Sequence, residues 1–382
     1  MTKTEAPLNN LSHLAAAPGR FAKNCWYVAA RSSELGRALL KRTIAGDNLV
    51  MYRTEAGRAI ALLDMCPHRL APLSLGQLVG DAVQCGYHGI TFDCEGRCIR
   101  IPGEEKIAGH FRATTFALAE HWGFVWAWLG DPAKADEALL PQQFHWQEEP
   151  GWCPMDDYLH LKANYQLVVD NLLDLSHEAF LHINTIGNAA VAETPAKTTI
   201  AGDKVEVERF MTNCAPPKLF VRAADFTTNI DRHLRIAFVA PCFVIIEVSA
   251  VATGTNDRKN GLVWWVLNAL TPETENTTHY FWGLPRHFKQ DDKEMTELLR
   301  TAITKTFEED RVMLEAQQLN VHRVPLEQRT LYTQSDQAPS RARSMVANMI
   351  AREVATALAG EQHAAPAPAP APAQQAAVTS QT

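Results

Sequence analysis

The chain has 382 residues, with 36 Lys and Arg against 43 Asp and Glu, giving a net charge of −7 at pH 7. At about 150 residues per domain this is room for two or three domains around a sizeable core. The acidic balance excludes a basic nucleic-acid footprint, and no run of 18 apolar residues offers a membrane span.

Residues 1–20 are small and polar and read as a flexible arm. The opening MTKTEAPLNN lacks the basic start and apolar core of an export signal, so a cytoplasmic location is expected. Eight cysteines are too few for a disulfide scaffold and, in a reducing compartment, point to burial, catalysis or metal binding. From residue 21 to 131, short apolar runs (NCWYVAA, NLVMYRT, AIALLDM, ITFDCEG, GFVWAWLG) bounded by turn residues predict an all-β unit. Asp131-Pro132 marks its end, and a second domain is expected over 132–350. There a helix is predicted at 165–182. Strands return between 203 and 285, in runs such as KVEVERF, CFVIIEVSA and GLVWWVLNAL. A long helix is predicted from Gln290 to about Asn320, where Leu298, Leu299, Ile303, Phe307, Val312, Leu314 and Leu319 recur at helical spacing. The expected fold class is α+β. Residues 351–382, rich in Ala and Pro, read as a solvated, disordered tail.

The strongest chemical signal is CPHRLAPLSLGQLVGDAVQCGYHG: Cys66-x-His68, sixteen residues, then Cys85-x-x-His88. Each loop carries one thiolate and one imidazole. A zinc finger orders its ligands Cys-Cys then His-His on a strand-turn-helix unit. The alternating order in an all-β setting fits instead a Rieske [2Fe-2S] cluster, whose irons take two Cys and two His respectively. Pro67, Gly86 and Gly89 suit loops that close tightly. Cys94 and Cys98, in DCEGRC, read as a hairpin turn without a histidine at ligand spacing.

The second signal is DNLLDLSHEAFLH. Asp170, Asp174 and His177 share one face of a continuous helix. His182, five residues beyond His177, lies about 140° off that face. Both histidines can meet one metal only if the helix opens locally or ends before His182. Two His and a carboxylate with open positions is the facial arrangement of non-haem Fe(II) oxygenases. The third ligand must come from elsewhere: Asp310 in FEEDRVMLEAQQ is the best candidate, with Glu308 and Glu309 as competitors.

Together these motifs resemble the α-subunits of the Rieske non-haem iron aromatic oxygenases. Within that family NCWYVAA, CPHRLAPLSLG, GYHGITFDCEGRCIRIPG, VVDNLLDLSHEAFLH and FEEDRVMLEAQQ are most similar to the monooxygenase branch. The oxygenase components of vanillate O-demethylase, toluenesulfonate methyl-monooxygenase and dicamba O-demethylase belong to that branch. The resemblance implies an N-terminal Rieske β-domain and a C-terminal helix-grip domain of antiparallel sheet plus helices. It implies a [2Fe-2S] cluster on Cys66, His68, Cys85 and His88, and a mononuclear Fe(II) on His177, His182 and Asp310. It further implies a head-to-tail homotrimer, in which Asp174 accepts a hydrogen bond from the neighbour's His88 and orients His177. Asp170 matches a less uniform position outside the ligand set.

No G-x-G-x-x-G or phosphate loop occurs, so electrons are expected from an NAD(P)H-dependent reductase, with or without a ferredoxin. The expected function is that of a terminal oxygenase component using O2 on an aromatic acid, by O-demethylation of a methoxybenzoate-like substrate with release of formaldehyde. Methyl or ring hydroxylation of another aromatic carboxylate or sulfonate is the alternative. Asn268, His279 and Trp282 are candidate substrate contacts, and Arg222 and Arg286 candidate cations that read more naturally as surface residues.

Overall fold

The structure, a computed structural model, describes residues 9–10, 21–258, 261–325 and 329–363. The N-terminal half of the fold is built from three small antiparallel sheets. One runs Leu118–His121, Phe124–Leu129, Cys25–Arg31; the second Leu40–Ile44, Asp47–Arg53, Ala59–Leu63; the third Gln77–Val79, Ala82–Gln84, Thr91–Phe92, Cys98–Arg100. The C-terminal half is one seven-stranded antiparallel sheet. Its order is Asp156–Leu161, Thr277–Gly283, Leu262–Thr274, Phe243–Ala252, Ile230–Val239, Lys204–Cys214, Lys197–Ala201. Among the described residues six helices accompany it: α1 (Tyr165–Leu173), α2 (Glu178–Leu181), α3 (Ala189–Glu193), α4 (Lys218–Ala224), α5 (Lys293–Val321) and α6 (Gln337–His363). This is the expected α+β arrangement, a β-rich unit followed by sheet and helices.

The strand patterns explain which side of the large sheet holds the site. Along Ile230–Val239 burial alternates, with Arg232, Leu234, Ile236 and Phe238 inward. Such alternation is the mark of a strand with one covered face. Phe243–Ala252 is buried almost throughout and lies near the sheet's centre. Across this face runs α5, started by the Asp292 side chain, which accepts from Met295 N at 2.9 Å. Its buried stripe is Met295, Leu299, Ile303, Phe307, Asp310 and Leu314, spacings of three and four that keep one helix face on the sheet. Val312 and Leu319, expected on that stripe, point to solvent.

Packing does not follow the division of the sequence into halves. One core takes in the Cys25–Arg31 and Phe124–Leu129 strands together with the seven-stranded sheet and the long helices. Phe144, in a 3-10 turn at Gln142–Gln147, is edge-on to Phe124, Trp126 and Phe243 at centroid distances of 5.9, 5.2 and 5.9 Å. A second, smaller core gathers Tyr52, Leu62, Cys66, Val83, Cys85 and Phe92.

Of the stretch expected as a tail, 351–382, residues 351–363 belong to α6, and residues 364–382 lie outside the described residues. Most of the arm at 1–20 is also outside them, but Asn9–Asn10 pairs with Arg329–Thr330. Among the described residues no helix is long and apolar enough to cross a membrane.

Candidate metal centres and active site

The two Cys-His loops fold alike despite their different spacing. Cys66 N donates to Ala71 O at 2.8 Å and Leu70 N to Cys66 O at 2.9 Å; Cys85 N donates to Ile90 O at 2.8 Å and Gly89 N to Cys85 O at 3.0 Å. Each loop therefore turns back at the fourth residue after its cysteine, with positive φ at Leu70 (58°) and Gly89 (70°). The loops approach backbone to backbone: a Cβ on Gly86 would stand 2.6 Å from Leu75 O, so only glycine fits there. Cys66 and Cys85 are buried, while His68 and His88 are exposed with ring centroids 4.7 Å apart. Burial, together with the neighbouring Cys85 sulfur, pushes the Cys66 thiol up to about 11. Two inward thiols and two outward imidazoles on adjoining loops suit a [2Fe-2S] cluster whose histidine iron faces outward. Of the two cysteines in DCEGRC, Cys94 Sγ donates to Asp81 O at 3.3 Å, beside the turn at Gly96.

The second centre depends on a break in the helix predicted over 165–182. Helix α1 stops at Leu173, and Asp174 leaves helical geometry (φ −125°, ψ 88°). Its carboxylate instead accepts from the Ser176 N–H at 3.1 Å and from the Ser176 hydroxyl, capping a 3-10 turn at Leu175–His177. Local capping by Asp competes with the helix here. Asp170 and Asp174 consequently do not share a helix face with His177. Asp170 turns to α6, where it accepts from Arg343 at 2.7 Å.

After the break His177 and His182 face each other, ring centroids 5.1 Å apart. His177, His182 and Asp310 each offer a ligand atom, all within 4.8 Å of one another. The span suits a single ion. His182 Nε2 lies 3.1 Å and His177 Nε2 3.5 Å from Asp310 Oδ1. The far nitrogens are held: His177 Nδ1 by Asp174 O at 2.7 Å and His182 Nδ1 by Glu309 Oε2 at 2.9 Å. Such outer partners fix the tautomer and aim the metal-binding nitrogen. Of the competing acids, Asp310 is therefore the one that faces the histidines. Glu309 orients His182, and Glu308 pairs with Arg311.

Electrostatics follow the geometry. Burial disfavours charge on His182, but the carboxylates of Asp310 and Glu309 outweigh it and raise its pKa. Burial likewise works against charge on Asp174, and the bonds from Ser176, the Ser335 hydroxyl and the nearby Arg209 overcome it, holding this carboxyl below its ordinary range.

A cavity of about 50 Å³ opens beside these ligands. Ile246, Val248, Val266, Ile303 and Phe307 supply its apolar wall. Apolar cavities of about 150 Å³ take up benzene, so an aromatic ring enters only if these side chains give way. None of the three expected substrate contacts lines this space. Asn268 is fully buried, its amide donating to Val244 O at 2.7 Å and accepting from Tyr280 Oη at 2.6 Å. His279 bonds Tyr158 Oη at 2.8 Å and Thr43 O at 3.1 Å, bridging to the N-terminal half. Trp282 packs edge-on to Phe307 at 5.4 Å. Arg286 is not a surface residue either: it has no exposed area and donates to the carbonyls of Phe288, Lys289 and Asp292.

Asn171, Glu178 and Arg232 escaped the sequence reading of this neighbourhood. Asn171 donates to Asp310 Oδ1 at 3.1 Å, and Arg232, paired with Glu178 at 2.8 Å, lines the cavity with Trp264. Strand parity was the available signal for Arg232, since it is in step with Leu234 and Ile236.

Residues 25–115 match the Rieske [2Fe-2S] domain, and residues 161–352 the vanillate O-demethylase oxygenase C-terminal domain. The chain belongs to the Rieske oxygenases of this family. It is 36% identical over 346 residues to the vanillate O-demethylase oxygenase subunit of Pseudomonas sp. (strain HR199 / DSM 7063), covering 87% of this chain and 96% of that one. The toluene-4-sulfonate monooxygenase system iron-sulfur subunit of Comamonas testosteroni is 35% identical over 314 residues, 80% of this chain and 90% of its own. A crystal structure of dicamba monooxygenase bound to 3,6-dichlorosalicylic acid superposes with a TM-score of 0.84 at 31% identity, covering 88% of this chain and 99% of that one. Another structure of dicamba monooxygenase contains non-haem iron. The oxygenase is thus the terminal component of a Rieske monooxygenase system, with a [2Fe-2S] cluster and a mononuclear iron, and a reductase must feed it electrons.

Proposed function

We propose that this oxygenase O-demethylates a methoxybenzoate-like aromatic acid, releasing formaldehyde. The observation that carries the reading is the meeting of His177, His182 and Asp310 in the wall of a largely apolar cavity, in a chain similar to a vanillate O-demethylase oxygenase subunit over nearly its whole length.

In this reading Cys66, Cys85, His68 and His88 hold the cluster, and His177, His182 and Asp310 hold the iron. The bound metals supply single electrons and the activation of O2. The chain does the rest. Asp174 O, Glu309 and Asn171 fix the ligand atoms, and the apolar wall excludes water and holds the ring. Hydroxylation of an aryl methyl ether gives a hemiacetal, which collapses to a phenol and formaldehyde.

The exposed edges of His68 and His88 sit among Leu70, Leu75 and Tyr87, which are 65%, 78% and 62% exposed. An apolar rim around outward imidazoles suits docking against another protein surface. It supports a head-to-tail homotrimer in which His88 of one protomer donates to Asp174 of the next, whose carboxylate is held charged and only half-buried.

The test is formaldehyde release from iron-loaded protein given NADH, an oxygenase reductase and a panel of methoxybenzoates beside methyl-substituted benzoates and sulfonates. Substrate-dependent formaldehyde is the expected result. Oxygen uptake with a hydroxylated product and no formaldehyde would replace O-demethylation by methyl or ring hydroxylation.

A further inference from the structure

We propose that Arg232 and Trp264 form the subsite that grips the oxyanion of an aryl acid substrate; this rests on reading the cavity as the substrate site. The two residues lie on one face of the sheet. In register, Arg232 pairs with Ala250 and Ala250 with Leu262; the next inward row is Leu234, Val248 and Trp264. Phe220 stands against both: the Arg232 Cζ is 4.9 Å from its ring centroid, and the Trp264 ring is edge-on at 5.2 Å.

Both side chains are almost wholly buried, Arg232 at 1% and Trp264 at 2% exposure. Arg232 donates to Glu178 Oε2 at 2.8 Å and to Ile186 O at 3.2 Å. Its Nε–H has no partner, nor has the indole N–H of Trp264. Buried donors are normally paired. Two unpaired donors in the wall of the cavity that His177, His182 and Asp310 also line mark where an acceptor from outside belongs.

The missing group must accept and need not donate. Guanidinium and indole are donors only. The polar side chains near them are already committed: Glu178 to Arg232, and the Thr306 hydroxyl to Ala302 O at 3.0 Å. Among the described residues Arg232 is the one Lys or Arg in the cavity wall. Glu178 uses one N–H of its five-donor fork, which leaves donors for a second oxyanion. A carboxylate or sulfonate on the ring meets these conditions with acceptors alone, whereas a phenol or amine brings an O–H or N–H that would need an acceptor of its own.

Isothermal titration of the holoenzyme with 3-methoxybenzoate, 3-methoxybenzamide and anisole tests this without turnover. The benzoate should bind at least about tenfold tighter than either neutral ligand. Trp264→Phe, which keeps the ring and removes the N–H, should weaken the benzoate roughly five- to tenfold and leave anisole within about twofold. The double variant Arg232→Gln with Glu178→Gln, which strands no lone charge, should weaken it by about thirtyfold or more. Iron content and cluster absorbance must match wild type in both. Equal affinity for benzoate and anisole overturns the proposal, as does equal affinity for benzoate and benzamide, or an equal loss for all three ligands in the variants. Formaldehyde is measured in parallel. The expected binding pattern without formaldehyde would refute O-demethylation and leave the subsite standing.

Discussion

Phe144→Ala tests whether the aromatic contacts around residue 144 bind the two halves of the oxygenase into one cooperative unit. Phe144 has no exposed area, and its three edge-on partners come from both sides of the chain: Phe124 and Trp126 from the N-terminal sheet, Phe243 from the large one. Truncating a buried Phe to Ala costs about 3–5 kcal/mol, most where the walls cannot collapse. Here the walls are backbone-anchored strands, and each lost edge-on pair adds roughly 0.5–1.5 kcal/mol. A cost of about 5 kcal/mol is expected, which lowers Tm by roughly 10–20 °C at about 2–4 °C per kcal/mol. Heating should be followed by cluster absorbance for the N-terminal half and far-ultraviolet circular dichroism for the whole chain. Both signals should fall together in the wild type and at lower, separated temperatures in the variant. A Tm within about 3 °C of wild type would refute the reasoning, because a site that tolerates the loss of a whole ring is not packed as described.

Replacing His177 with Ala should leave the cluster's visible absorbance intact and abolish iron binding and product formation; product at the wild-type rate would remove this residue from the iron site. Asp174→Asn should keep both metals yet slow single-turnover oxidation of the reduced cluster by about 10–100-fold, and an unchanged rate would contradict the role proposed for it between protomers. Chelating the iron should stop turnover without bleaching the cluster, read by absorbance and formaldehyde in the same sample. A pH effect is expected from His279, which burial and the nearby Arg42 push down to about 4. An unfolded histidine titrates near 6.5, so as pH falls the unfolded state takes up the proton first. This stability is full above pH 6.5 and is lost towards pH 4, by up to about 3 kcal/mol. Urea midpoints at pH 7.5 and 4.5 should differ less in His279→Gln than in the wild type.

Much of the site was legible because metal ligands announce themselves by type. Cys66, His68, Cys85 and His88 stand out in any reading, and Asp310 emerges from the buried stripe of α5. That the helix must open or end before His182 was legible from the His177–His182 spacing, but the position of the break at Asp174 was not, because Leu172, Leu173 and Leu175 carry apolar character straight through it. Which of two bonds Asp174 prefers, helix or its own cap, is decided by packing around the turn. Arg232 was hidden for another reason. It sits with His233 and Arg235 in a stretch that looks solvated, and only strand parity separates the inward charge from the outward ones. Arg286 failed in the same direction, since a buried arginine surrounded by carbonyls has no local sequence mark.

The division of the core between two unequal lobes bears on how the protein ages. Cys66 and Cys85 belong to the smaller core, whereas His177, His182 and Asp310 rest on the larger one. Short of the joint thermal melt, local opening is expected in the smaller core, and native-state amide exchange should show the cluster loops exposing their N–H groups while the large sheet stays protected. Exposed iron–sulfur centres are what oxidants attack first. Protein stripped of its cluster is therefore expected to keep the large sheet folded and to regain activity on refilling with iron and sulfide; loss of large-sheet amide protection on stripping would show that the two cores stand or fall together.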